Sequence, residues 1–278
     1  MLLEVAGRSV YGYTGGRPVQ AAATGVIFIH GAQHDHSVWI LQSRYLAHHG
    51  HAVLALDLPG HGRSSGPALS SVEALADWVL ETIAAAGFKT CHLVGHSMGS
   101  LVALEAAARG GDRIASLSLL GAAAPMRVSQ ALLDAARDDE ARAFDMINAW
   151  SHSGITPRPG CPGPGFSIFN QNRRLMERQV QGVLLNDFSA CNAYEGALAA
   201  ASAVRCPTLL VSGQRDLMTP PKAAAALISA LQTAAGPAGL APPVVVHIPD
   251  CGHAMMAEKP LEILHALKNF LARATAPV

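Results

Sequence analysis

The stretch Cys91-His92-Leu93-Val94-Gly95-His96-Ser97-Met98-Gly99, continued by Ser100-Leu101-Val102-Ala103-Leu104-Glu105-Ala106-Ala107-Ala108-Arg109, decides how the rest of the chain is read. A short apolar run enters Gly95, a serine stands between two glycines, and a helical pattern begins at once and stops at Gly110 and Gly111. Strand, tight turn and helix in that order set Ser97 on a sharp bend outside the end of a strand. The flanking glycines let neighbouring backbone pass without a clashing Cβ. A second match to the same pattern, Gly62-Arg63-Ser64-Ser65-Gly66, leads into Pro67 and a loop, and the next helix starts only near Ser71. Ser64 lacks the strand–turn–helix setting, so Ser97 is the candidate nucleophile.

Outward from this bend, apolar runs of strand length alternate with segments of helical period. Strands are expected at Gly25 to His30, His51 to Leu56, Cys91 to Val94, Ile114 to Leu120, Thr208 to Val211 and Val244 to Ile248. Helices are expected at Ser37 to His49 (with Ser37 as N-cap), Ser71 to Ala86, Ser97 to Arg109, Lys222 to Leu231 and Pro260 to Leu271. This alternation predicts an α/β fold, a mainly parallel sheet with helices on both faces. The rhythm breaks after about Pro125. Helical patterns at Ser129 to Trp150 and Asn172 to Val183 flank a Pro/Gly loop at Thr156 to Gly165. Residues 1–125 and 204–278 are therefore expected to form the core, and 126–203 a helical insertion capping the sheet.

The chain has 278 residues, half of them hydrophobic and 14% charged, with acidic and basic residues formally cancelling. That suits one large globular unit. No basic stripe suggests nucleic acid. No apolar run approaches the ~18 residues of a membrane span. The N-terminal MLLEVAGRSVYGYTGG has no basic region before a long apolar run and reads as strand and turn, not a signal peptide. A cytoplasmic location is the expectation. Five scattered cysteines (Cys91, Cys161, Cys191, Cys206, Cys251) without a C-x-x-C pair read as free buried thiols.

A serine on a bend is a weak nucleophile until a base takes its proton and an acid orients that base. The strand ending at Val211 runs into Ser212-Gly213-Gln214-Arg215-Asp216, and the strand ending at Ile248 into Pro249-Asp250-Cys251-Gly252-His253. Both loops leave the carboxyl edge of the sheet. Of the 13 histidines only His253 has this placement, which makes it the candidate base. Asp216 approaches from a different strand and is the candidate acid; Asp250, three residues from His253, is its rival.

With these residues the chain resembles the α/β-hydrolase fold family. His30-Gly31, Asp57-Leu58-Pro59-Gly60-His61-Gly62-Arg63-Ser64, the Gly95 to Gly99 elbow, Gly213-x-x-Asp216-x-x-x-Pro220 and Gly252-His253 follow one another in the family's order, from about residue 25 to 260. The resemblance implies a Ser97–His253–Asp216 triad under a helical cap and makes Asp57 to Ser64 a structural loop. It also implies an oxyanion hole from the backbone N–H of Met98 and that of Ala32, with Gln33 as the alternative. A serine at 97 separates the chain from the dehalogenase and epoxide-hydrolase branches, which carry a carboxylate there.

The expected activity is hydrolysis of an ester-like bond in a small, hydrophobic substrate, without cofactor. Thioesterase, lactonase, carbon–carbon bond hydrolase and acyltransferase or perhydrolase activities use the same triad. Three triad positions in place argue against a non-catalytic receptor. Expected substrate-binding residues are Gly31, Gln33, His96 and Met255 near Ser97, with Phe144, Met146, Trp150, Phe166 and Phe169 from the cap. His30, His34 and His36 have only Asp35 as an acidic companion, so no metal site is expected. The composition leaves the oligomeric state open.

Overall fold

The computed structural model describes residues 1–19, 23–154 and 167–274. The chain opens with a hairpin, β1 (Leu2–Val5) and β2 (Arg8–Tyr13), whose two-residue turn puts both Ala6 and Gly7 at positive φ. That geometry matches the twist of paired strands. Then follow β3 (Thr24–Ile29), α1 (Ile40–His48), β4 (Ala52–Leu56), α2 (Val72–Ala85), β5 (Thr90–His96), α3 (Met98–Gly110) and β6 (Ile114–Leu120). The next five elements are helical: α4 (Gln130–Asp138), α5 (Glu140–Ser151), α6 (Ile168–Glu177), α7 (Val183–Ala193) and α8 (Ala197–Ala203). The chain closes with β7 (Thr208–Gly213), α9 (Ala225–Ala235), β8 (Val244–Ile248), α10 (Met255–Glu258) and α11 (Pro260–Ala274).

The eight strands form one sheet in the order β1-β2-β4-β3-β5-β6-β7-β8, parallel from β4 onward, with the hairpin antiparallel at one edge. Alternate side chains enter two cores. Ile27 and Ile29 of β3 and Leu54 and Leu56 of β4 meet α2 and α3 on one face, while Val26, Phe28, Val53 and Ala55 meet Trp39, α1 and α11 on the other. Burial on both faces is why these strands read as unbroken apolar runs.

A third cluster joins Leu132, Ala136, Phe144, Ile147, Leu184 and Phe188, the shared interior of α4 to α7. α8 does not belong to it. Its Ala197, Ala200 and Ala201 pack in the sheet core, against α3 and α9, so the last helix of the expected insertion is part of the core's outer layer. Two further differences concern helix ends. Asp35, not Ser37, caps the turn before α1, its carboxylate accepting from the Ser37 N–H. The single helix expected at Asn172 to Val183 is two, because Gly182 at φ 87° turns the chain between α6 and α7. Phe166, Cys161 and the Pro/Gly loop from Thr156 to Gly165 lie outside the described residues. Among the described residues, no helix is long and apolar enough to cross a membrane.

Candidate active site

Ser97 stands between β5 and α3 at φ 55°, ψ −122°, a backbone conformation rarely adopted by a residue with a side chain. The turn closes so tightly that a Cβ on Gly95 would meet the Gly99 carbonyl, and one on Gly99 the carbonyls of Ile29 and His30. The glycines of the motif are thus steric requirements. The Ser97 N–H donates to the Leu120 carbonyl at 2.9 Å, tying the turn to β6. Met98 opens α3, so its N–H has no partner within the helix. Ser64 is elsewhere, its hydroxyl donating to the Asp57 carbonyl at 2.6 Å and accepting from the Tyr11 N–H.

His253 leaves β8 on a loop that brings its Nδ1 to 2.7 Å from Asp216 Oδ2, and both residues are buried. Asp216 Oδ1 accepts from the N–H groups of Met218 and Thr219, and Oδ2 accepts from the Thr219 hydroxyl, each at 2.8 Å. Burial alone would raise the Asp216 carboxyl; His253 and the Thr219 donors outweigh it and hold the group below its ordinary value. Asp250 faces away, accepting from Arg215 Nε at 2.9 Å on the surface. Of the two acids, the geometry joins Asp216 to the imidazole.

His96 donates from Nε2 to the His253 carbonyl at 2.9 Å, with the two rings 4.7 Å apart. Burial, then the neighbouring His253, pushes its pKa well below the usual range, so it stays neutral and supports the loop. Two contributors carry no motif of their own. Thr219 bonds Asp216 and lies 3.0 Å from His253 Nδ1. Gly121, at φ 60°, leaves room for the imidazole: a Cβ there would sit 3.0 Å from His253 Cε1. A glycine immediately after the β6 run is the one sequence signal for it.

Ser97 and His253 both line a cavity of about 770 Å³ and a smaller one of about 170 Å³. Ala32, Phe188 and Met218 also border both, so the two spaces meet at this pair of side chains. Among the described residues, no hydrogen bond joins the Ser97 hydroxyl to His253; catalytic hydrogen bonds commonly tighten only with substrate present. Gly31 and His96 line the larger space and Trp150 the smaller. Gln33, Phe144, Phe169 and Met255 line neither. Gln33 is buried with its Nε2 donating to the Met176 carbonyl, Phe144 fills the cap interior, Phe169 stacks on His152 and Met255 packs under the sheet. The Gln33 N–H is also committed, donating to Asp187 Oδ2 at 2.9 Å.

Asp35, His36 and Asp57 bring three possible metal-ligating atoms within 4.8 Å. The carboxylate oxygens already accept hydrogen bonds from the protein. Asp57 accepts from the His36 N–H, His36 Nδ1 and the Arg63 N–H, and Asp35 from Ser37, Arg178 and Gln179.

A mainly parallel sheet with a strained serine at one strand end, and a paired aspartate and histidine at two others, defines a hydrolase architecture. The chain belongs to the alpha/beta hydrolase family, whose model matches residues 26–266. It is 29% identical over 251 residues to RutD of Variovorax paradoxus, provisionally named a carbamate hydrolase, covering 86% of this chain and 88% of that protein. It is 38% identical over 104 residues to a pimeloyl-acyl-carrier-protein methyl ester esterase of Methylococcus capsulatus, 34% of this chain and 35% of the relative. Among solved structures, the enol-lactonase of Burkholderia xenovorans LB400 has the same fold, with a TM-score of 0.82, 22% identity and coverage of 98% and 100%. The chain spans 25 to 36% of the length of three further curated relatives that it matches.

Proposed function

We propose that the protein is a serine hydrolase that cleaves an ester-like bond through an acyl-enzyme. Ser97 Oγ attacks the carbonyl carbon while His253 Nε2 takes its proton, and the negative oxygen accepts hydrogen bonds from the Met98 and Ala32 amides. Collapse of the tetrahedral species breaks the carbon–oxygen bond, and His253 returns the proton to the leaving alcohol. A water molecule, deprotonated by the same imidazole, attacks the acyl carbon, and Ser97 departs as the hydroxyl. Asp216 keeps the His253 Nδ1–H in place and stabilises the imidazolium. The 2.7 Å bond between Asp216 and His253, beside a strained Ser97 in one cavity wall, carries this reading.

The two spaces support a substrate with one bulky apolar group and one small group. Val38, Ile40, Leu41, Ile147, Leu175 and Met256 make the larger wall chiefly apolar. The smaller space, walled by Met126, Val128, Leu132 and Trp150, has a volume of about 170 Å³. It is less than a quarter of the larger space and so suits the smaller group.

Labelling with a fluorophosphonate probe tests the nucleophile: label is expected on wild type and on Ser64→Ala, and lost in Ser97→Ala. Label retained in Ser97→Ala would sink the reading. A panel of esters, thioesters, lactones and vinylogous diketones tests the bond type, with highest kcat/KM expected for an ester having one long alkyl group and one short one.

A further inference from the structure

The Ala32 amide, an oxyanion donor in the proposed serine hydrolase, lies between two anchored peptide units, one held within its own loop and the other from a distant helix. A peptide unit is planar and trans, so fixing its carbonyl also aims the N–H on its opposite edge. In the Gly31–Ala32 unit, the Gly31 carbonyl accepts from His30 Nδ1 at 2.8 Å and from the His34 N–H at 3.3 Å. In the next unit, the Ala32 carbonyl accepts from His34 Nδ1 at 2.7 Å, while the Gln33 N–H donates to Asp187 Oδ2 at 2.9 Å. Gln33 itself is at φ 57°. A residue with a side chain stays there only where its surroundings demand it.

Asp187 is on α7, in the cap, and is only 1% exposed. The same Oδ2 accepts from His61 Nε2 at 2.9 Å, and His61 Nδ1 donates to the Pro59 carbonyl at 3.0 Å. The Pro59 carbonyl can only accept, so His61 Nδ1 carries a proton, and although burial opposes the charged imidazole, the neighbouring Asp187 outweighs it and raises the His61 pKa. Removing one member of such a buried pair strands the other. Neither residue lines the two cavities that meet at Ser97, and the Gln33 N–H ties Asp187 to the Ala32 loop.

We infer that Asp187, charge-paired with His61, is a positioning residue for the oxyanion hole, a role that rests on the serine-hydrolase reading. By anchoring the Gln33 N–H it fixes the Ala32–Gln33 unit, which adjoins through the Ala32 Cα the unit carrying the oxyanion N–H, and because it belongs to α7 it makes that geometry depend on the docking of α7.

Steady-state kinetics of the full chain on its best ester, for wild type, Asp187→Ala and Asp187→Asn, test this. Asn keeps an acceptor for the Gln33 N–H and loses only the charge. The expected loss in kcat is about 50-fold for Ala and about 5-fold for Asn, short of deleting an oxyanion donor outright, with KM within about twofold. Affinity for a trifluoromethyl ketone, which forms a tetrahedral adduct, should fall by the same factors, and that for the product acid should not. General loosening of the site would weaken both ligands. A folded Asp187→Ala with wild-type kcat and ketone affinity overturns the inference. So does a loss of kcat in which product-acid affinity falls equally. Should Asp187→Ala not fold, the Asn variant decides alone, and unchanged kcat overturns. A wild type that takes no fluorophosphonate at Ser97 fails the hydrolase reading itself; a labelled wild type with indifferent Asp187 variants fails only this inference.

Discussion

Asp216 and Asp250 show how little separates a buried, histidine-bonded carboxylate from a surface one in sequence. Both sit in loops leaving the carboxyl edge of the sheet, yet one is buried against an imidazole and the other pairs with Arg215 in solvent. Asp216→Asn should reduce kcat by about 10³- to 10⁴-fold, since the amide favours the wrong histidine tautomer. Asp250→Asn should stay within about twofold, an exposed pair being worth little. Equal losses in the two variants, measured on one ester, would reject the assignment. Gly121 makes a second residue-scale case. Its φ of 60° and the 3.0 Å gap to His253 Cε1 leave no room for a methyl group. Gly121→Ala should lower kcat by about tenfold and stability by about 1 kcal/mol, read from initial rates and a urea melt.

At the scale of elements, α4 to α7 and the loops at the carboxyl edge of the sheet are built into one another. The carboxyl end of α5 packs on the loop carrying His253: a Cβ on Gly252 would come within 2.6 Å of the Ser151 carbonyl. Glu258 of α10 accepts from the Gly252 N–H at 2.5 Å and from the Ser153 N–H at 2.7 Å, bridging loop and cap. Trp150, near the end of α5, walls the smaller space. Trp150→Ala should therefore raise kcat/KM for esters whose smaller group is extended by two or three carbons, by about tenfold relative to methyl esters. Unchanged selectivity across the series would remove Trp150 from the specificity wall. These cap helices were also the least legible part of the chain. Residues 178–193 carry no single helical period because Gly182 breaks the chain and α7 buries side chains on several sides, Asp187 among them.

At the scale of the molecule, the interior excludes charge unless it is paired. Burial pushes the thiols of Cys91, Cys206 and Cys251 up to about 12, so these cysteines stay as thiols and act as packing. Burial, with a smaller contribution from His51, brings His92 down to about 4, and burial followed by His61 does the same for His30. For such a histidine the unfolded chain takes up a proton below its ordinary value of 6.5 while the folded chain does not. Stability is therefore complete above 6.5 and is lost as pH falls toward 4. His61 has the opposite sign: burial opposes the charge, but Asp187 more than compensates and raises it, so its contribution is lost as pH rises. Comparing wild type with His92→Asn by urea unfolding isolates one contribution. Between pH 7 and pH 5 the wild type should lose about 2 kcal/mol more than the variant. Parallel pH profiles would contradict a neutral, buried His92.

Parallel strands, their order of appearance, the tight turn at Ser97 and the place of His253 in the loop after the last strand were readable from sequence, because each depends on local pattern. Runs buried on both faces, glycines forced by a tight turn and loops at strand ends leave their mark within a few residues. Contacts between distant segments leave none. That Asp216 rather than Asp250 reaches the imidazole, and that Gln33 is spent on Asp187, were decided by tertiary structure. So were the surroundings of Phe144 and Met255, which are buried in apolar clusters, and of Phe169, which stacks on His152. Each of these outcomes depends on which side chain a separate element brings within hydrogen-bond or packing distance of another, and local sequence carries no information about that distance.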